Sequence, residues 1–187
     1  MLNEKISMTF GYKSIWLAIK DTSSKDISGA LRLTQVNKVD WNTGLKFANQ
    51  LDGSVIITEE YYGWCFVIGI SLPDISYAES LLDLLSKLSS QLGELYYFCS
   101  YRTVGTFGFV KAINGTVERA YGVLGDKGEI ILNFGDITEA EKKLEYLFPN
   151  NDDELWEEGF TELDEEEILD LADQWSIHPE ALLDCID

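Results

Sequence analysis

Alternating apolar and polar positions organise this sequence more than any catalytic motif does. Between residues 95 and 134, runs rich in aromatic and β-branched side chains flank Asn114-Gly115. That dipeptide accepts positive φ at both central positions and so closes a two-residue type I′ hairpin. The register it predicts sets Ile113 across from Thr116, Lys111 across from Glu118 and Val110 across from Arg119. The opposite charges of Lys111 and Glu118 then support the ladder by about 0.2–1 kcal/mol. A second turn at Gly125-Asp126-Lys127-Gly128 returns the chain into residues 129–134, which makes the stretch a meander of antiparallel strands.

The other elements follow from their own periodicities. Ile6, Met8 and Phe10 alternate as in a short edge strand, and the more apolar residues 15–20 read as an internal one. Asp26 or Ser24 can cap a short helix to about Leu33. A helix from Trp41 to about Gln50 brings Trp41, Leu45 and Ala48 onto one face. Residues 64–72 form an apolar run expected to be a central strand covered on both faces. Ser76 and Glu79 carry a capping-box signature for a helix whose Leu81, Leu84, Leu85, Leu88 and Leu92 make one stripe before Gly93 stops it. Thr138 can cap a helix to about Leu147, and Asp164 with Glu167 a last one in which Ile168, Leu171, Ala172 and Trp175 share a face. Pro179 suits the first position of a final short turn. The segments after Lys20 and Leu72 are long enough for crossovers, which leaves part of the sheet open to parallel pairing.

The expected fold is therefore α+β: a mostly antiparallel twisted sheet with a C-terminal meander, helices packed on one face, and an acidic helical C-terminal tail. The chain divides by composition into a core domain, 1–149, and an acidic helical extension, 150–187, docked on that core. The division rests on charge. Of 33 acidic residues, 15 fall in residues 151–187 with no Lys or Arg, which leaves 18 against 14 basic ones in residues 1–150. The first part is thus −4 and the tail −15, a field that repels nucleic acid and anionic membrane surfaces and steers basic partners toward one end.

No apolar run approaches the roughly 18 residues of a spanning helix, and the first residues lack a basic-then-apolar signal pattern, so the expected location is the cytoplasm. Cys65, Cys99 and Cys185 are far apart and in no metal or disulfide spacing, and they read as small buried hydrophobes where they fall in strands.

Chemical motifs are sparse. His178 is the sole histidine and sits beside Pro179 at a helix start, where it reads as a cap, so histidine-based triads are not expected. The glycines of residues 122–128 lie between strand patterns, unlike a phosphate loop. Counted from Asn150, a calcium loop needs Gly at position six and Glu at twelve, where Leu155 and Thr161 stand. No cofactor and no metal are expected. Arg102 and Arg119 read as ion-pair partners of Glu118, Glu129 or the tail, and Tyr96, Tyr97, Tyr101 and Tyr121 as sheet packing. Trp156 and Phe160, set among acids, either staple the tail to the core or anchor a partner, or divide those duties with one ring inward and one outward.

Several stretches, WLAIK at residues 16–20, GWCFVIG at 63–69, the segment 88–102 ending YFCSYR, ING…ERAYG at 113–122 and WSIHP at 175–179, are similar to those of small acidic bacterial proteins associated with polymorphic toxins. The resemblance implies an immunity factor and brings no catalytic residue with it. The resulting expectation is a non-enzymatic binding protein that occludes the active or essential surface of a cognate toxin with a basic face. Asp152, Asp153, Glu154, Glu157, Glu158 and Glu162 would steer that partner, and Trp156 and Phe160 would anchor it. An acidic DNA mimic, a carboxylate-dependent enzyme and a scaffolding subunit are the competing expectations.

Overall fold

The computed structural model describes residue 11 and residues 13–183. The expected edge strand at residues 5–10 and Cys185 lie outside them. Seven strands form one sheet: β1 (Ser14–Lys20), β2 (Ile56–Ile57), β3 (Trp64–Ile68), β4 (Glu94–Tyr101), β5 (Thr106–Ile113), β6 (Thr116–Leu124) and β7 (Glu129–Phe134). Their order is β2-β3-β1-β4-β5-β6-β7, and every neighbouring pair is antiparallel. The helices are α1 (Ser24–Ala30), α2 (Trp41–Ala48), α3 (Ala78–Leu92), α4 (Glu139–Lys143), α5 (Glu165–Trp175) and α6 (Pro179–Leu183). The α+β architecture and the meander are those anticipated. The crossovers bring β3 and β4 to opposite sides of β1 instead of making a parallel pair.

Helices cover both faces of the sheet, not one. The reason is visible in β1, β3 and β4, whose interior positions are buried without alternation, so each strand presents two apolar sides that need cover. Ile15, Leu17, Ile19, Cys65, Val67, Leu95 and Tyr97 face Ile27 of α1 and the Leu81, Leu85 and Leu88 stripe of α3. Trp16, Phe66, Tyr96, Phe98, Phe109 and Tyr121 face Ile168, Leu171, Ala172 and Trp175 of α5, together with Phe148, Leu163 and Leu182. On this second side Trp175 lies 5.1 Å from Tyr96, 5.9 Å from Phe98 and 5.4 Å from Phe109 between ring centroids, within the range in which aromatic pairs attract.

Local chemistry moves several predicted boundaries. Ser23 caps α1, ahead of both candidates, by accepting from the Asp26 N–H at 3.2 Å. Pro73-Asp74 places a carboxylate two residues before the anticipated box: Asp74 accepts from the Ser76 N–H at 2.8 Å and caps a 3-10 turn at Ile75–Tyr77. Ser76 is thereby taken up and α3 starts at Ala78. Thr138 caps its helix as expected, with Glu141 completing a box, and Asp164 and Glu167 also form one. Helix α4 nevertheless ends at Lys143, and Glu145, at φ +59°, has left the helical region.

The hairpin turn is as read, with φ of +48° at Asn114 and +89° at Gly115. The register beyond it is not. A bulge between Lys111 and Ala112 sets Lys111 opposite Arg119 and Val110 opposite Ala120, leaving Glu118 as the extra residue. Lys111 and Glu118 keep an ion pair between the two strands, at 3.2 Å, diagonally instead of directly opposed. Further along, Gly108 and Gly122 pair directly and receive the Ile75 side chain. A Cβ on either would come within 2.8 Å and 2.5 Å of Ile75 carbons, so this close approach needs both glycines.

Candidate functional site

Residues 150–162 form an arch beside β7, pinned at both ends. At the first, Asn133 Nδ2 donates to Asn150 Oδ1 at 3.2 Å, and Asp152 Oδ1 accepts from the Ile130 N–H of β7 at 2.7 Å. Tyr121 OH donates to the Pro149 carbonyl at 3.2 Å just before it. At the second, the Thr161 N–H donates to the Leu147 carbonyl at 2.8 Å, and the Leu147 N–H returns a bond to Thr161 Oγ1 at 2.9 Å. Between the pins, a 3-10 turn at Asp152–Glu154 leads to Leu155, which packs on the aromatic core.

This geometry separates the eight residues that sequence nominates. Asp152 serves the β7 edge, and Glu154 Oε2 accepts from the Asn150 N–H at 3.0 Å, so both carboxylates hold the arch in shape. Asp153, Glu157, Glu158 and Glu162 are exposed, and among the described residues no Lys or Arg pairs with them. Trp156 turns outward with 63% of its surface exposed, while Phe160 is half-buried. Trp156 leans over the turn before β7, with its Nε1 3.6 Å from where a Cβ on Gly128 would lie.

The anionic surface extends beyond that set. Glu166, Asp170 and Asp173 lie at i, i+4 and i+7 on the exposed side of α5, opposite the buried Ile168, Leu171 and Trp175. The same 3.6-residue period that identified the apolar stripe implies this polar one. Among the described residues, one ion pair reaches the segment from the rest of the chain, Arg102 Nη1 to Glu165 Oε2 at 3.7 Å. Tyr146 OH donates to Asp170 at 2.9 Å, and burial followed by this hydrogen bond pushes the phenol upward. Burial, and then the neighbouring Asp164, raises Glu167 to about 7.

The remaining candidates are structural. Arg119, 3% exposed, donates through Nε and Nη2 to Glu141 at 3.0 and 2.9 Å, and through Nη1 to Asn133 Oδ1 at 2.9 Å. Its guanidinium lies 5.7 and 5.6 Å from the Phe109 and Tyr121 rings. His178 Nδ1 accepts from the Glu180 N–H at 3.2 Å, capping α6. Burial raises Cys65 to about 11 and Cys99 to about 12, which keeps both as thiols. A groove of about 580 Å³ lined by Lys111, Glu118, Asp136, Glu139, Lys143 and Gln174 has mixed charge. Lys143 is engaged there by Gln174 at 2.6 Å.

Among the described residues, no three His, Cys, Asp or Glu side chains converge as a metal site, and no helix is long and apolar enough to cross a membrane. No family model, curated protein or solved structure matches the chain.

Proposed function

We propose that this chain is a non-enzymatic binding protein of the immunity type, which neutralises a cognate bacterial toxin domain by covering a basic functional surface. One observation carries the reading: an arch fixed at both ends carries an outward-facing tryptophan and four exposed carboxylates that have no cationic partner among the described residues. Tethering lowers the entropy lost on docking, since the surface is ordered before the partner arrives. The unpaired charges attract a basic face and penalise an acidic one by like-charge contact. An amphipathic ring held clear of the core is the kind of side chain that fills a partner pocket. Asp153, Glu157, Glu158 and Glu162 steer, Trp156 anchors, and Asp152, Glu154 and Phe160 maintain the platform.

Co-expression with the product of the neighbouring open reading frame, the candidate toxin, tests this. The unaltered chain should restore growth and co-purify with the toxin. The D153K/E157K/E158K/E162K variant should lose rescue, with affinity lower by about 100-fold or more, because four favourable charge contacts become repulsive. Unchanged rescue and affinity in a folded variant would place the interface elsewhere.

A further inference from the structure

The two edges of the sheet differ. Strand β2 is two residues long, too short to template another strand, whereas β7 ends the sheet with six residues, Glu129–Phe134. Among the described residues, no strand pairs with its outer side. What stands there is the start of the arch, held by Asn133 Nδ2 donating to Asn150 Oδ1 at 3.2 Å and by one side chain on the strand's backbone. Asp152 accepts from the Ile130 N–H at 2.7 Å, in the way a carbonyl of an added strand would. Large apolar groups mark both ends of this edge, Trp156 over Gly128 and Phe134, which is 53% exposed.

We infer that β7 is the docking edge for an extended, basic segment of a protein partner, with Asp152 as a latch that the incoming strand displaces. This deepens the binding reading above and rests on it for the partner being a basic protein. The exchange balances: a backbone carbonyl of the partner replaces the Asp152 carboxylate on the Ile130 N–H, and the freed carboxylate turns to a lysine or arginine of the arriving strand. Further main-chain bonds form along the edge, as in recognition by strand addition. Charge selects the occupant. The segment that brings Asp152 to the edge also carries Asp153, Glu157, Glu158 and Glu162, all exposed and without a Lys or Arg partner among the described residues, so a lysine- or arginine-bearing strand is drawn in. A second copy of a chain of net charge −19 is repelled.

The test uses the full chain and three eight-residue peptides, alternating lysine–valine, lysine–glycine and glutamate–valine. Backbone amide exchange at residues 129–134 should slow by about fivefold or more with lysine–valine alone, since only it combines positive charge with strand propensity. In about 1 M salt, where the screening length falls to about 3 Å and steering is lost, D152A should bind that peptide about two- to fivefold tighter. Equal protection by lysine–glycine, protection confined to other elements, or weaker binding by D152A in high salt would overturn the inference. So would concentration-dependent protection of β7 without peptide, which would make a second copy the occupant. None of these readouts involves the toxin, so the edge can fail while growth rescue stands, and rescue can fail while the edge stands.

Discussion

At the scale of single residues, the most consequential contact is the Arg119–Glu141 pair. Glu141 is completely buried and accepts from Arg119, from the Thr138 N–H at 2.8 Å and from Thr138 Oγ1 at 2.8 Å. It joins β6 to α4 while completing that helix's capping box. Removing one member of such a pair strands the other charge in a low-dielectric site, whereas replacing both with apolar groups of similar size removes the desolvation cost as well. Glu141→Ala should therefore lower unfolding free energy by about 3–5 kcal/mol, and the double variant R119M/E141L by clearly less, as read from urea denaturation. Equal losses in the two variants would show that packing, not the stranded charge, sets the cost. Sequence announced Arg119 as an ion-pair partner but named the wrong acids. Its true partner lies 22 residues away on another element, and the bulge that leaves Glu118 unpaired in the ladder has no local composition signal. The type I′ turn three residues from that bulge was legible, because Asn-Gly chemistry at positive φ is a local property.

Among the elements, α5 connects fold to surface. Its apolar stripe completes the aromatic core, its acidic stripe faces outward, and its capping box sets where both begin. Both stripes and the Asp164/Glu167 box follow from sequence spacing, while the α3 start was lost because Asp74 competes for the same Ser76 N–H. That competition depends on a short turn that no apolar period encodes. The α5 box also makes stability depend on pH. Glu167 is half-buried beside Asp164, and the folded chain holds its proton up to about pH 7, against 4.5 for the ordinary side chain. Between those values the folded state carries more protons than the unfolded one, so stability falls as pH rises. The contribution is complete below about 4.5 and lost as pH passes about 7. Glu167→Gln keeps an acceptor for the Asp164 N–H but cannot ionise. Its unfolding midpoint should fall less steeply than that of the unaltered chain from pH 4.5 to 7, and parallel curves would assign the slope to other acids.

For the whole molecule, the asymmetry between a −4 body and a −15 tail was plain in the sequence. Which carboxylates remain available was not, because that depends on backbone donors such as Ile130 N–H and Asn150 N–H, which engage Asp152 and Glu154. Long-range charge and short-range contact act at different stages of binding, which makes the proposed division of labour measurable. Steering raises the rate of encounter and is screened by salt, while a buried anchor controls how long the complex lasts. With the toxin domain in a stopped-flow experiment, D153K/E157K/E158K/E162K should lower kon by about 10- to 100-fold at low ionic strength, and that deficit should shrink toward nothing near 1 M salt. Trp156→Ala should leave kon within about twofold and raise koff by about tenfold or more, the range of a hot-spot truncation. If the charge reversals act on koff with no salt dependence, or Trp156→Ala leaves koff unchanged, the arch does not divide steering from anchoring, and the carboxylates of α5 become the next surface to reverse.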